Sequence, residues 1–229
     1  MTIDILMAMR EELDLTKPDD AVIWASTLTA FFNLLRSVEY SDTGSGPDRK
    51  MCLRNAHISL RAQGKTIDIT KRWSPNAPTP DEMVLHLPFS KTDTEGQGRE
   101  LNLFASPGNP LCVIEALITM WRLRPDTFAR PDAFLFRYDD GRTIKKTHLE
   151  ARLRTGAVKC DYNTQDYSSH SLRAGGATAM YHADVPIEDI QRRGRWKSDC
   201  WRMYIFGDRN RARGLLDLMT ARCVELFRP

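Results

Sequence analysis

Apolar residues recur at helical spacing over most of the chain and switch to alternation in one short region, so the pattern reads as helices with a small sheet inserted. Ile3–Leu13 and Ala21–Arg36 carry apolar positions three and four residues apart and read as the first two helices. Asp42–Lys50, holding Gly44, Gly46 and Pro47, reads as a loop. Short runs near Ala56–Leu60 and Thr66–Thr70 read as strands, followed by a proline-rich insertion at Trp73–Pro80. Met83–Phe104 then gives a strand, a glycine-containing turn and a second strand. Pro110–Leu123 and Thr147–Lys159 return to helical spacing. Three short helical runs follow from His170, and Gly214–Phe227 closes the chain with a broad apolar face. The expected fold class is α+β, mainly α-helical, with a small antiparallel sheet inserted near the N-terminal third.

The segment from His170 to Tyr204 concentrates the chemistry. His170 and Arg173 are three residues apart and share a helix face, with Ser168 and Ser169 where N-cap residues would stand. A helix N-terminus bearing a His and an Arg suits an anionic phosphate. Ala174, Gly175, Gly176, Ala177 and Ala179 keep that helix thin, so another backbone can approach. Asp184-Val185-Pro186 opens a second helix that should end at Gly194. A third run carries Trp201, Tyr204 and Ile205. Arg192, Arg193, Arg195, Lys197 and Arg202 stand against the single acid Asp199, a positive surface with aromatics interleaved, as a nucleic-acid backbone requires. Arg142, Lys145 and Lys146 form a second basic spot, and Arg209, Arg211 and Arg213 a third; charge runs of this kind also serve simply as solvated faces.

The stretch His170-Ser-Leu-Arg173-Ala-Gly-Gly-Ala-Thr resembles the H-x-x-R box of tyrosine recombinases, the phage-type integrases. Gly194-Arg-Trp196 resembles the variant of the next box that carries Trp, and Tyr204 falls where the family has its nucleophile. The Trp196–Tyr204 interval is one residue shorter than the family's commonest form, which fits a Trp-type, Crypton-like mobile-element branch. Two further positions complete the resemblance. Phe31-Phe-Asn-Leu-Leu-Arg36-Ser-Val-Glu39 has the shape of the family's first Arg, which closes an apolar helix and precedes a Glu by three residues. Lys91 stands at a strand end of the hairpin, where the family's Lys lies. The resemblance covers roughly residues 20 to 210 and implies a catalytic set of Arg36, Lys91, His170, Arg173, Trp196 and Tyr204, with Glu39 in structural support. It also implies double-stranded DNA as partner and a homo-oligomer on it, a tetramer in synapsis, with a monomer or weak oligomer when free.

The residue types suit the chemistry so implied. A phosphodiester resists nucleophiles, so charge on its non-bridging oxygens must be neutralised, which two guanidiniums do with planar forks of donors. Arg36 and Arg173 take that part. Trp196 donates an indole N–H but accepts nothing, which argues for positioning rather than proton transfer. Tyr204 must lose a proton from a group of ordinary pKa about 10, with His170 the nearest base. Lys91 would protonate the departing 5′-oxygen. No paired-carboxylate or Cys/His spacing suggests a metal, and no glycine-rich phosphate loop suggests ATP, so no cofactor is expected. Singly, each residue has an ordinary reading: His170 and Arg173 on a salt-bridged face, Trp196 and Trp201 as anchors, Tyr204 in an apolar helix, Arg36 at a helix end, Lys91 in a hairpin. The ordered set is what favours the catalytic reading.

Composition adjusts this picture in two respects. Net charge is only +3 with a sequence pI near 8.6, so DNA binding must rest on local patches. Five scattered cysteines suggest reduced thiols inside a cell: the nucleus in a eukaryote, otherwise cytoplasm or nucleoid. The expected organisation is a single catalytic domain over 1–229, with a leading segment at 1–17, a core at 18–210 and a C-terminal helix at 211–229 that packs in cis or docks on a neighbour. The N-terminal core-binding domain usual in the family is expected to be absent. Three function classes stay open: a DNA integrase or recombinase, a type IB topoisomerase-like relaxing enzyme, and a non-catalytic DNA-binding module derived from a recombinase.

Overall fold

A computed structural model describes residues 1–68, 78–88, 98–125 and 130–207. Lys91 and the C-terminal helix expected over 211–229 therefore lie outside the described residues, as does the third basic spot. The helices are α1 (Ile3–Glu11), α2 (Pro18–Phe32), α3 (Ser37–Tyr40), α4 (Val113–Leu123), α5 (Lys146–Lys159), α6 (His170–His182) and α7 (Ile187–Gly194). The strands are β1 (Ile58–Ala62), β2 (Lys65–Ile67), β3 (Glu82–Leu87) and β4 (Arg99–Phe104). They pair antiparallel in the order β2-β1-β3-β4, with Leu60 opposite Met83 and Leu85 opposite Leu101. Tyr204 ends a 3-10 helix, Asp199–Tyr204, rather than a full α-helical run. Among the described residues no helix is long and apolar enough to cross a membrane.

The core forms around α2, whose residues from Ala21 to Phe31 are all buried. Pro18 at its first turn fixes φ where the N–H would be unpaired, and Asp19 and Asp20 suit the positive end of the helix dipole. Trp24, Leu28 and Phe31 enter one cluster with Leu60, Met83, Leu85 and Leu117. Each such side chain contributes ~1.5–3 kcal/mol through area removed from water. Three hydroxyls lie on this buried helix, and each bonds back to a carbonyl of the preceding turn: Ser26 and Thr27 to Ile23, Thr29 to Ala25. No polar cost is left unanswered there. On the other side, α5 crosses α1 at Gly156, where a Cβ would lie 2.6 Å from the Ile5 carbonyl oxygen.

The main departure from expectation is the end of α2. The helix stops at Phe32 and does not run on to Arg36, because Leu34 adopts φ +49°. Leu35 N–H then bonds the Ala30 carbonyl at 2.9 Å and Leu34 N–H bonds that of Phe31 at 3.3 Å, the paired closure of a Schellman motif. A leucine in this left-handed position costs ~1–2 kcal/mol, and no glycine announces the turn. The effect is to leave the carbonyls of Phe32, Asn33 and Leu34 pointing beyond the helix, unpaired within it.

Candidate active site

Those carbonyls collect guanidiniums. No basic residue lies in the last turn of α2, and the negative end of its dipole is met from elsewhere in the chain. Arg193 Nε donates to the Phe32 carbonyl at 2.7 Å. Arg195 donates to those of Asn33 at 3.5 Å and Leu34 at 3.2 Å. Arg173 Nη1 also donates to Leu34, while its Nη2 donates to the Gly194 carbonyl at the end of α7. The backbone approach that permits this is made at Gly176, whose hypothetical Cβ would sit 2.2 Å from the Phe31 carbonyl oxygen. The thin face of α6 does admit another backbone, and the structure identifies it as the end of α2.

Arg36 opens α3 instead of closing α2. Its backbone N–H donates to Glu39 Oε2 at 2.7 Å and its Nη1 to Oε1 at 3.2 Å. Glu39 is fully buried, and Arg195 Nη2 reaches the same Oε2 at 2.8 Å. One carboxylate thereby takes bonds from two guanidiniums and a backbone amide, and a third guanidinium, Arg173, is close enough to feel Arg36 and Arg195. Burial first, then the repulsion of Arg195 and Arg36, pushes the Arg173 pKa down to about 10, with Glu39 and Tyr204 opposing. That lies far above neutrality, so the group stays charged.

Aromatic rings cover the guanidinium. Arg173 Cζ lies 4.5 Å from the Trp196 ring centroid and 5.6 Å from that of Tyr204, within cation–π range. The Tyr204 ring is 4.9 Å from Trp196 and 5.1 Å from His170, centroid to centroid. Gly194 is required by this stack: a Cβ there would lie 1.7 Å from Trp196 Cζ3. The backbone around Tyr204 is latched to α6. Thr178 Oγ1 donates to the Tyr204 carbonyl at 2.8 Å and accepts from Phe206 N–H at 3.2 Å.

His170 is the first residue of α6. Desolvation, then the charges of Arg173 and Lys146, holds its pKa below the ordinary 6.5, so the ring is neutral at pH 7 and able to accept a proton. The helix start differs from the expected cap. Ser169 has helical φ and ψ, makes no side-chain cap bond, and its Oγ is buried with no partner. Its N–H donates instead to Glu150 Oε1 at 3.0 Å.

Arg36, Glu39, His170, Arg173, Trp196 and Tyr204 therefore converge at the C-terminal end of α2. The basic surface is smaller than expected. Arg195 is 5% exposed and turned onto Glu39, and Arg193 is spent on α2 and on the Asn102 carbonyl of β4 at 3.4 Å. Both are drawn inward by unpaired carbonyls, which leaves Arg192, Lys197 and Arg202 exposed. Of the second spot, Arg142 and Lys145 are exposed, Arg142 beside Asp140, and Lys146 lies 3.7 Å from Glu150 near His170. Sequence reasoning missed Thr178 and the Lys146–His170 proximity. A hydroxyl on the thin face of α6 was the only available signal for Thr178. Among the described residues no group of His, Cys, Asp or Glu has the arrangement of a metal site.

No family model and no curated protein sequence matches the chain. Its fold matches crystal structures of the XerH site-specific recombinase. With the post-cleavage complex on palindromic difH substrate, the TM-score is 0.63 at 14% identity, over 95% of this chain and 50% of that one. With the pre-cleavage complex on difH substrate, the TM-score is 0.58 at 14% identity, over 94% and 53%. The chain spans about half the length of these proteins. A mainly helical chain with an inserted four-stranded antiparallel sheet, superposing on them over nearly its whole length, has the tyrosine recombinase catalytic-domain fold.

Proposed function

We propose that the chain cleaves and rejoins DNA strands through a 3′-phosphotyrosyl intermediate, as a site-specific recombinase or integrase serving DNA integration or transposition, of the Trp-type, Crypton-like kind. The observation that carries this reading is a charge surplus beside a tyrosine. Three guanidiniums, Arg36, Arg173 and Arg195, surround the single carboxylate of Glu39. The cluster holds two uncompensated positive charges, a costly arrangement in a buried place unless an anion completes it. A phosphodiester brings one negative charge, and the pentacovalent species formed on attack carries two. The site is thus matched to the charge of the transition state rather than to that of the substrate.

In the proposed step Tyr204 Oη forms a bond to phosphorus and its proton passes to neutral His170. The bond to the 5′-oxygen breaks, and that oxygen takes a proton from a general acid. Lys91 is the proposed acid. Trp196 covers Arg173 and helps exclude water, which strengthens the electrostatics inside. A free 5′-hydroxyl then attacks the phosphotyrosine and reverses the step on the same or another strand. The exposed cations Arg192, Lys197, Arg202, Arg142 and Lys145 are proposed DNA-backbone contacts, with the oligomer assembling on the DNA.

The test uses a pool of nicked suicide duplexes of randomised sequence, read as protein–DNA adducts that survive denaturant. The wild-type chain should form the adduct and Tyr204→Phe should not. Binding without any adduct would make the chain a non-catalytic DNA module. Supercoil relaxation without synapsis would make it topoisomerase-like.

A further inference from the structure

We propose that Arg195 is a positioning residue, the buried counter-cation that fixes Glu39 and, through it, the phosphate-facing guanidinium of Arg36; the assignment rests on the function proposed above. The first observation is where the side chain goes. Arg195 follows a basic helix and precedes Trp196 and Lys197, a sequence context that favours solvent, yet its side chain is 2% exposed. It spans three acceptors on two elements: the Asn33 and Leu34 carbonyls beyond α2 and the Glu39 carboxylate on α3. Its Nε is buried with no partner, so the fork is oriented for those acceptors at the expense of a donor.

The second observation is the backbone. Arg195 has φ +58° and ψ 38°, the left-handed position that closes α7. Trp196 N–H bonds the Gln191 carbonyl at 3.0 Å and Arg195 N–H that of Arg192 at 3.2 Å, so this is the Schellman position where glycine is the unstrained choice. A non-glycine residue held here against strain points to a use for its side chain. The left-handed turn directs Arg195 inward to Glu39 while the next residue, Trp196, stacks over Arg173 and Tyr204.

The third observation is the division of labour on Glu39. Oε2 accepts from Arg195 and from the Arg36 amide, leaving Oε1 for the Arg36 guanidinium. Without Arg195, Glu39 would pair with Arg36 alone, and Arg36 would lose the repulsion that discourages a tighter pairing with the carboxylate. Arg36 would then be drawn onto Glu39 and away from phosphate. Arg195 therefore acts at a distance from the reacting atoms. Removing it should slow cleavage far more than it weakens DNA binding, because it takes one charge from the cluster but no direct bond from the phosphate.

The experiment measures single-turnover adduct formation at saturating DNA, with duplex Kd and its salt slope alongside, for wild type, Arg195→Met, Arg195→Lys, Glu39→Gln and the Arg195→Met/Glu39→Gln double variant. Arg195→Met should lower the rate towards the upper end of the roughly 10- to 100-fold range for loss of a group that orients a site residue, with Kd changed by no more than about threefold and the salt slope unchanged. Arg195→Lys keeps the charge but cannot span the three acceptors, and should lie about tenfold below wild type, so it serves if the Met variant fails to fold. The double variant should be no slower than the worse single one, because both act through one pair. A weaker Kd with a salt slope lower by about one and an unchanged rate would make Arg195 a backbone contact and overturn the proposal. Fully additive rate effects would overturn it as well. A wild-type chain that forms no adduct fails the proposed function itself, whatever the variants do.

Discussion

Substitution of Gly176 by alanine tests whether the site depends on the close crossing of α6 over the end of α2. A Cβ built at Gly176 lies 2.2 Å from the Phe31 carbonyl oxygen and 2.5 Å from Leu34 Cδ2. The first contact is with backbone, which cannot rotate away, so the helices must separate by about an ångström to restore ordinary contact. Overpacking of this kind costs ~1–3 kcal/mol, and replacing glycine by alanine within a helix returns up to ~1 kcal/mol. With the full return the net loss is up to about 2 kcal/mol, which for a chain of this size is a fall in Tm of up to roughly 8 °C. The functional loss should be larger. Arg173 lies one turn before Gly176 and donates to Leu34, so a shift of ~1 Å misplaces its guanidinium and should lower the cleavage rate about 100-fold. Circular-dichroism melting and single-turnover adduct formation check the two numbers. Gly207→Ala is the control, since nothing lies within 4 Å of its Cβ. A Gly176→Ala chain with wild-type Tm and rate would refute the reasoning.

The remaining predictions concern proton transfer, the seat of the tyrosine and the DNA surface. Because the His170 pKa is held below 6.5, the cleavage rate should be flat near neutrality and fall as pH drops through that lowered value, an acid limb that His170→Gln should remove. The sign for stability is the same: the unfolded chain takes up the His170 proton first, so this residue's contribution is lost as pH falls from about 6.5. Thr178→Val should cost roughly tenfold in rate by freeing the Tyr204 carbonyl and the Phe206 N–H, each bond worth ~1 kcal/mol, while Thr178→Ser should retain most of it. Alanine at Lys197 or at Arg202 should each lower the salt slope of DNA binding by about one without a change in saturated rate, as measured by titration at several salt concentrations.

Much of this was legible in the sequence because it is local. The i, i+3 pairing of His170 with Arg173 and the glycine that ends the helix before Trp196 act within one turn. The small residues after Arg173 announce a thin face though not what packs on it, and β3 and β4 read as two strands about a glycine-containing turn. What escaped notice depends on tertiary partners. Nothing in Phe32-Asn33-Leu34-Leu35 shows that a leucine takes the left-handed position, since that conformation is usually signalled by glycine. The helix therefore read on to Arg36. Arg193 and Arg195 read as surface because cations usually are, and only the unpaired carbonyls that this early stop exposes explain why they turn inward. Ser169 read as a cap because serine there usually is one; the carboxylate of Glu150, from another helix, takes the amide that the local rule assigns elsewhere.

The central claim, that Tyr204 attacks a phosphodiester held by Arg36 and Arg173, is tested most directly by locating the covalent bond. The adduct trapped on a nicked suicide duplex is trimmed with nuclease, digested with protease and sequenced by tandem mass spectrometry. The account predicts a nucleotide joined through its 3′-phosphate to the tyrosine of the peptide containing Trp201 to Tyr204, with a free 5′-hydroxyl on the released strand. A nucleotide on Tyr181 or any other residue, or one joined through its 5′-phosphate, would contradict it.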